Sequence, residues 1–220
     1  GVDRDLTCRE PGQATDGPDP RRVLDPELIV EVDPKGKVLE QTDKDLSVLK
    51  NLILEMRNRE IRLRDATADL FTKLAAASAG ELRKEGLELQ SEQTDRITRA
   101  AEGIAVSLRE VNDRFTVNNI ESERPSHLVE MLPLIDAVAK DLSPAVAGRL
   151  DEMARGEAPE PRREAARQAI DGESQVIDHL DQLLALLTKW ENYYEVVQEA
   201  RRLRELHDTI NRLTRERFQD

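Results

Sequence analysis

The sequence predicts an all-α protein: an antiparallel bundle of about four helices with one long C-terminal helix, preceded by an irregular N-terminal strap. The first observation is an apolar stripe with alternating spacings of four and three, as in a coiled-coil seam. It consists of Val176, Leu180, Leu183, Leu187, Trp190, Tyr194 and Val197. The second is that comparable stripes recur in three other segments. The third is an aromatic content of only 3%, which is typical of helices packed through aliphatic side chains.

The N-terminal strap covers residues 1–41 and the helical domain covers residues 42–220. Residues 1–26 are rich in proline and glycine, which disfavour regular structure. Residues 28–39 have the pattern of a short β-hairpin, with two apolar runs flanking the turn formers of 33–36. A lone hairpin is marginal in water, so we expect this one to lie on the helices, to pair with a partner's sheet, or to exist only as an extended strap.

The first helix is predicted to begin at Thr42 and Asp45, which have the spacing of a weak capping box. Its stripe is interrupted at Glu60 and Thr67 and ends in the small residues of 75–80. The stripe comprises Leu49, Ile53, Met56, Leu63, Leu70, Leu74 and Ala77. The small residues predict the end of this helix or a close approach of another backbone.

The second helix is predicted from another uninterrupted stripe. Its members are Ile97, Ala101, Ile104, Leu108, Val111 and Phe115. Gly86 and Gly103 should each weaken this helix by about 1 kcal/mol relative to alanine. Residues 116–124 are polar and predict the loop that reverses the chain.

Pro125 favours the start of a third helix, because proline is well tolerated at the first helical positions. The third stripe comprises Leu128, Leu132, Ile135, Ala139, Leu142, Val146, Leu150 and Met153. Pro133 and Pro144 lie within it, so this helix should kink or break.

The last helix is predicted from about Arg162 to Phe218, a length of about 80 Å at the helical rise. After Val197 its apolar stripe shifts by one position and continues at Leu203, Leu206, Ile210 and Leu213. Because a helix of this length extends beyond its neighbours, we expect these four residues to stay uncovered by the bundle.

Composition argues against several classes of function. The formal net charge of -12 disfavours binding to nucleic acid or to an anionic membrane surface. No apolar run approaches the roughly 18 residues that a membrane span needs. The chain starts at Gly1 without an initiator methionine or a signal segment, which predicts a processed product or a part of a longer protein.

The sequence predicts no enzyme, no metal site and no cofactor. A di-iron carboxylate centre would need Glu-x-x-His pairs, and the residues three before His127, His179 and His207 are Arg124, Val176 and Arg204. Cys8 lies in the proline-rich strap, where nothing would hold it as a nucleophile. Phosphate-binding and hydrolase motifs are absent from the sequence as well.

The predicted function is therefore a non-enzymatic scaffold or adaptor that binds protein partners, or a second copy of itself, through helical seams and the strap. The candidate partner-binding residues are Tyr193, Leu203, Leu206, Ile210, Leu213, Ile29, Val30 and Val32. Trp190 and Tyr194 hold seam positions, whereas Tyr193 lies off the seam and is the better candidate for a second contact surface. No small molecule is expected in this reading.

The alternative is a ligand-sensing helical bundle of the kind found outside the membrane in receptors. Gly80, Gly86, Gly103 and Pro133 could open a cavity between helices for such a ligand. A ligand would raise the melting temperature of a sensor, and a scaffold would show no such shift.

Residues 180–216 resemble helical stretches of large bacterial envelope proteins rich in predicted coiled coil. The resemblance lies in a leucine-rich run, then Trp190 with nearby tyrosines, then Arg/Glu heptads, over about 50 C-terminal residues. It implies an extracytoplasmic structural segment of a larger polypeptide and carries over no catalytic residue.

Overall fold

The structure, a computed structural model, describes residues 34–75 and 78–218. These residues form an all-α bundle in which four long helical stretches follow one another. The first is α1 (Pro34–Lys73), and the last is α6 (Pro159–Arg217). The second joins α2 (Ala79–Glu92), a π-helical segment (Gln93–Thr98) and α3 (Arg99–Val117). The third joins α4 (Ser126–Ala137), a π-helical segment (Val138–Leu142) and α5 (Ser143–Arg155).

The four stretches pack antiparallel in chain order, and the last returns to the first. Helix α1 packs against α6, α2 against α5, and α3 against α4. Ion pairs mark the antiparallel register of α1 and α6, since Lys50 contacts Glu191 at 2.7 Å while Arg57 contacts Asp181. The predicted antiparallel helical bundle is therefore confirmed for the described residues.

The predicted hairpin at residues 28–39 is wrong where the structure describes it. Residues 34–39 form the first turns of α1, and residues 28–33 lie outside the described residues. Pro34 suits a first helical turn, where its missing N–H would have no intrahelical partner. Val38 and Leu39 are buried in the bundle, because they continue the helical spacing of Leu46 and Leu49 toward the N-terminus.

Because of the same spacing, α1 begins earlier in the chain than the predicted capping box. Thr42 does not cap a helix but lies inside α1, with its side chain fully buried. The small residues after Lys73 do end the helix, as expected. Ser78 then caps α2 in a capping box with Glu81, which satisfies backbone donors at both positions.

Gly86 and Gly103 occupy different environments, although both lie in the second helical stretch. A Cβ atom built on Gly86 would lie 2.8 Å from the Cβ of Ala154, so this glycine lets α2 and α5 approach closely. A Cβ atom on Gly103 would meet nothing within 4 Å. The helix-weakening cost predicted for both residues is thus offset by packing only at Gly86.

The two prolines of the third stretch have different effects: Pro133 lies inside α4 without breaking it, whereas a π-helical segment lies just before Pro144. Pro144 lacks the N–H that would continue the α-helical ladder. Just before it, the N–H of Ser143 donates to the carbonyl of Val138, five residues earlier, which defines a π turn. The stretch then resumes as α5, so the expected interruption takes the form of a π-helical segment.

The loop between α3 and α4 lies where the sequence predicts it. It contains a single 3₁₀ turn at Glu121–Glu123, and Asn119 has a left-handed φ of 54°. Asparagine tolerates this conformation better than most residues with a side chain. Pro125 immediately precedes α4, as expected for a proline at a helix start.

The core consists of two apolar clusters stacked along the bundle. The larger one reaches from Val38 to Leu63 on α1 and from Val176 to Trp190 on α6. The smaller one surrounds Leu150 at the opposite end. Between the two clusters the seam carries buried polar residues instead of apolar ones.

Candidate functional site

The apolar stripe at the end of α6 is exposed, as the sequence predicts. Leu203, Leu206, Ile210 and Leu213 are 57%, 56%, 52% and 54% exposed. From residue 202 to residue 218 every residue of α6 is exposed, and we call this part the projecting segment. Its sixteen helical residues extend about 24 Å beyond the bundle. The four apolar side chains form a seam of two heptads on one face of this helix.

The base of the projecting segment is held by an aromatic cluster. Trp190 is only 1% exposed, and its indole Nε1 donates a hydrogen bond to Oδ1 of Asp43 on α1 at 3.1 Å. Its ring stacks on Tyr194, with centroids 6.0 Å apart, and packs near Tyr193 and His127. These contacts anchor α6 to the start of α1 and to the start of α4, so the projecting segment leaves a fixed base.

Tyr193 belongs to this anchor and is only half-buried. Its ring centroid lies 5.7 Å from that of Trp190 and 6.1 Å from that of His127. Burial raises the pKa of its phenol. The structure therefore gives Tyr193 an intramolecular role, whatever second contact it makes. The other predicted contact residues, Ile29, Val30 and Val32, lie outside the described residues.

A buried polar layer separates the two apolar clusters of the core. It receives Glu60 from α1, Gln93 and Ser143 from the middle stretches, and Glu173 from α6, all of them 0% exposed. The amide Nε2 of Gln93 donates to Oε1 of Glu60 at 3.2 Å and to Oγ of Ser143 at 3.0 Å. Thr67 donates its hydroxyl to Oε1 of Glu173 at 2.8 Å. Each of the four helical stretches thus contributes a polar residue to this layer.

The two glutamates of this layer lie in an environment that favours their neutral form. Burial, with the nearby charge of Glu173, raises the pKa of Glu60 to about 8. Burial likewise raises the pKa of Glu173 to about 8, against the opposing effects of Thr67 and the charge of Arg64. Among the described residues, Oε2 of each glutamate has no hydrogen-bond partner. An ionised carboxylate there would be costly, because burial removes it from water and Arg64, the cation that acts on Glu173, is paired with Asp65.

Part of this layer is visible in the sequence. Glu60 and Thr67 are the two positions at which the α1 stripe is interrupted. Glu173 lies three residues before Val176, so the α6 stripe would reach it if extended one step, whereas the same extension of the second stripe gives Thr94 and misses Gln93 by one residue. Polar residues at seam positions of different helices were therefore the signal in the sequence for this layer.

A surface groove lies between α1 and α3. It has a volume of about 330 Å³ and an apolar floor. The floor and walls are formed by Leu49, Leu52, Met56, Ala100, Gly103 and Ile104. At its end Arg59 pairs with Glu55 of the same helix at 3.4 Å and with Glu92 of α2 at 3.6 Å. The missing side chain at Gly103 contributes to the open space.

Within the described part of the chain, no group of three or more His, Cys, Asp or Glu side chains is placed to hold a metal ion. None of the described helices combines the length and apolarity of a membrane span. Comparison with known proteins gives no match: no protein family, no curated protein and no solved structure matches the chain. The resemblance to bacterial envelope proteins, with the location that it implies, therefore stays a prediction.

Proposed function

We propose that this protein is a helical adaptor that binds a protein partner through the projecting segment of α6. The observation that supports the proposal most directly is the exposed stripe of Leu203, Leu206, Ile210 and Leu213. An uncovered row of large apolar side chains at heptad spacing is typical of helices that pack against another helix. The anchored aromatic base adds to this, because a rigid helix loses little conformational entropy on binding.

Burial supplies most of the free energy in such an interface. Burial of a fully exposed leucine or isoleucine contributes about 1.5–3 kcal/mol, so each of these half-exposed side chains would contribute about half of that before the costs of association are subtracted. The central pair, Leu206 and Ile210, should contribute most, since residues at the centre of a contact are the most completely desolvated. The flanking charges would mainly affect orientation and association rate.

The test replaces Leu206 and Ile210 with glutamate and measures association by size-exclusion chromatography with light scattering. We expect association to weaken by more than about tenfold, because two charges would have to be buried in the contact. Circular dichroism should show unchanged helicity, since both side chains are exposed. A matched control replaces Val117 and Val129, which are exposed elsewhere on the bundle, with glutamate.

If the unmodified chain associates and the Leu206/Ile210 variant associates equally well, the proposal is refuted. Equal loss in the Val117/Val129 variant would refute it as well, since the effect would then come from added charge and not from the stripe.

The alternative function, ligand sensing, is favoured by one observation only. Two of the glycines that could open a cavity differ in this respect. Gly103 borders the groove between α1 and α3, whereas Ala154 occupies the space beside Gly86. A thermal-shift screen of small apolar molecules would test this alternative. A melting temperature raised by several degrees, and lost in a Gly103→Leu variant, would favour it over the adaptor function.

A further inference from the structure

Two apolar surfaces of this chain are complementary in size. The groove between α1 and α3 measures about 330 Å³. This is roughly twice the ~150 Å³ cavity that removal of one large buried side chain can leave, so the groove has room for two such side chains. Leu206 and Ile210 are successive members of the projecting stripe and lie on one helical face.

The two surfaces also belong to parts of the chain with opposite net charge. Residues 202–218 carry five arginines and three acidic residues, whereas residues 34–201 carry 24 basic and 32 acidic ones. Opposite net charges attract at the range of encounter and favour the approach of the segment to the bundle. The charged residues that line the groove are Glu55, Arg59 and Arg96. Both arginines pair with Glu92, at 3.6 and 3.8 Å, and the side chain of Glu55 is 67% exposed, so Glu55 is the group that an incoming arginine would meet.

Pairing of two projecting segments with each other is less favourable. The stripe spans only two heptads, fewer than the three to four that a sustained coiled coil shows. Two copies side by side would also bring together segments of the same net positive charge. A preformed groove between two helices offers more contact to a short helix than a second single helix does.

The groove that binds the segment must belong to another molecule. Helix α6 is continuous through Arg217 and extends away from its base, so its end cannot turn back onto its own α1 and α3. We propose that the α1/α3 groove of one copy of this chain binds the α6 stripe of a second copy. This inference rests on the proposed adaptor function and names the partner. The contact is head-to-tail, so it generates chains or closed rings of copies.

The test uses three variants of the full chain. The stripe variant carries Leu206→Glu and Ile210→Glu. The groove variant carries Gly103→Leu, which fills the groove without strain because a Cβ there meets nothing within 4 Å. The matched control carries Gly148→Leu, an equivalent change at an exposed and equally open glycine of α5 outside the groove.

Light scattering should show concentration-dependent assemblies of two or more copies for the unmodified chain and the control. The stripe variant and the groove variant should each be monomeric when alone. When mixed, they should form a one-to-one dimer and nothing larger, because one intact groove and one intact stripe remain. High salt should weaken this dimer more than about tenfold if the opposite charges contribute.

Other results show whether this inference alone is wrong or the adaptor function is wrong as well. Assembly of the groove variant as in the unmodified chain, with loss in the stripe variant, would overturn the inference and leave the adaptor function standing. A monomeric unmodified chain would overturn the inference. Unchanged assembly of the stripe variant would overturn both.

Discussion

Replacing Glu60 with glutamine tests the buried polar layer. The amide has the shape of the protonated acid and can still accept the hydrogen bond from Gln93. It carries no charge at any pH. We therefore expect Glu60→Gln to stabilise the bundle at alkaline pH and to leave it nearly unchanged at pH 5.

The magnitude follows from the difference in proton affinity between the folded and unfolded chains. Glu60 has a pKa of about 8 in the bundle, against an ordinary value of 4.5. Between these values the unfolded chain has released a proton that the folded chain keeps, so the free energy of unfolding falls as the pH rises. The slope is about 1.4 kcal/mol per pH unit, or about 4 kcal/mol between pH 5 and pH 8. For a chain of this size that equals roughly 10 °C in melting temperature.

Two other groups contribute to the pH dependence of stability in the same range. Glu173 acts in the same direction as Glu60, because burial raises its pKa too. His127 has the opposite effect on stability at the acidic end of this pH range. Burial lowers its pKa, so the stability that it contributes is lost as the pH falls. Comparing the variant with the unmodified chain at each pH cancels the contribution of His127.

The assay is urea unfolding followed by circular dichroism at pH 5, 6, 7 and 8. Glu102→Gln serves as the control, since Glu102 is an exposed residue of α3. The control should follow the unmodified chain, and Glu60→Gln should show a flatter dependence on pH. If Glu60→Gln instead follows the unmodified chain at every pH, Glu60 does not hold a proton in the bundle and the argument is wrong.

The remaining predictions concern helix packing. Gly86→Ala should destabilise the bundle by about 1–3 kcal/mol, because the new methyl group would overlap Ala154 and force α2 away from α5. Gly103→Ala should instead stabilise the bundle by up to about 1 kcal/mol, through helix propensity alone. Chemical unfolding of the two variants measures both changes in stability. Equal changes in the free energy of unfolding would contradict the difference in packing. Trp190→Phe should cost about 2 kcal/mol, because it leaves the Asp43 carboxylate without its indole donor. Near-ultraviolet circular dichroism and urea unfolding would show this loss, and a Trp190→Phe variant as stable as the unmodified chain would show that the bond does not anchor α6.

The places where the sequence analysis failed have physical causes. The start of α1 was assigned to a hairpin because Pro34 and Gly36 suit a turn as well as they suit the first turn of a helix. Only burial of Val38 and Leu39 against the other helices selects the helical form. The second contact surface at Tyr193 stays a prediction, because α4 packs against only part of its ring.

The sequence by itself determined the features that depend on one helix at a time. Seam spacing identified the helices, small and polar residues identified the breaks, and the length of α6 predicted the uncovered stripe from Leu203 to Leu213. These features are local, since spacing along one chain decides which side chains share a face.

Only the tertiary structure decided which residues of different helices share a level. The buried polar layer depends on how the helices are shifted along one another, because it joins Glu60, Gln93, Ser143 and Glu173 from four helical stretches. The different roles of Gly86 and Gly103 depend on how closely each helix approaches its neighbour. Side-chain packing between helices and the lengths of the connecting loops set these shifts and distances, and a periodic pattern within one helix does not fix them.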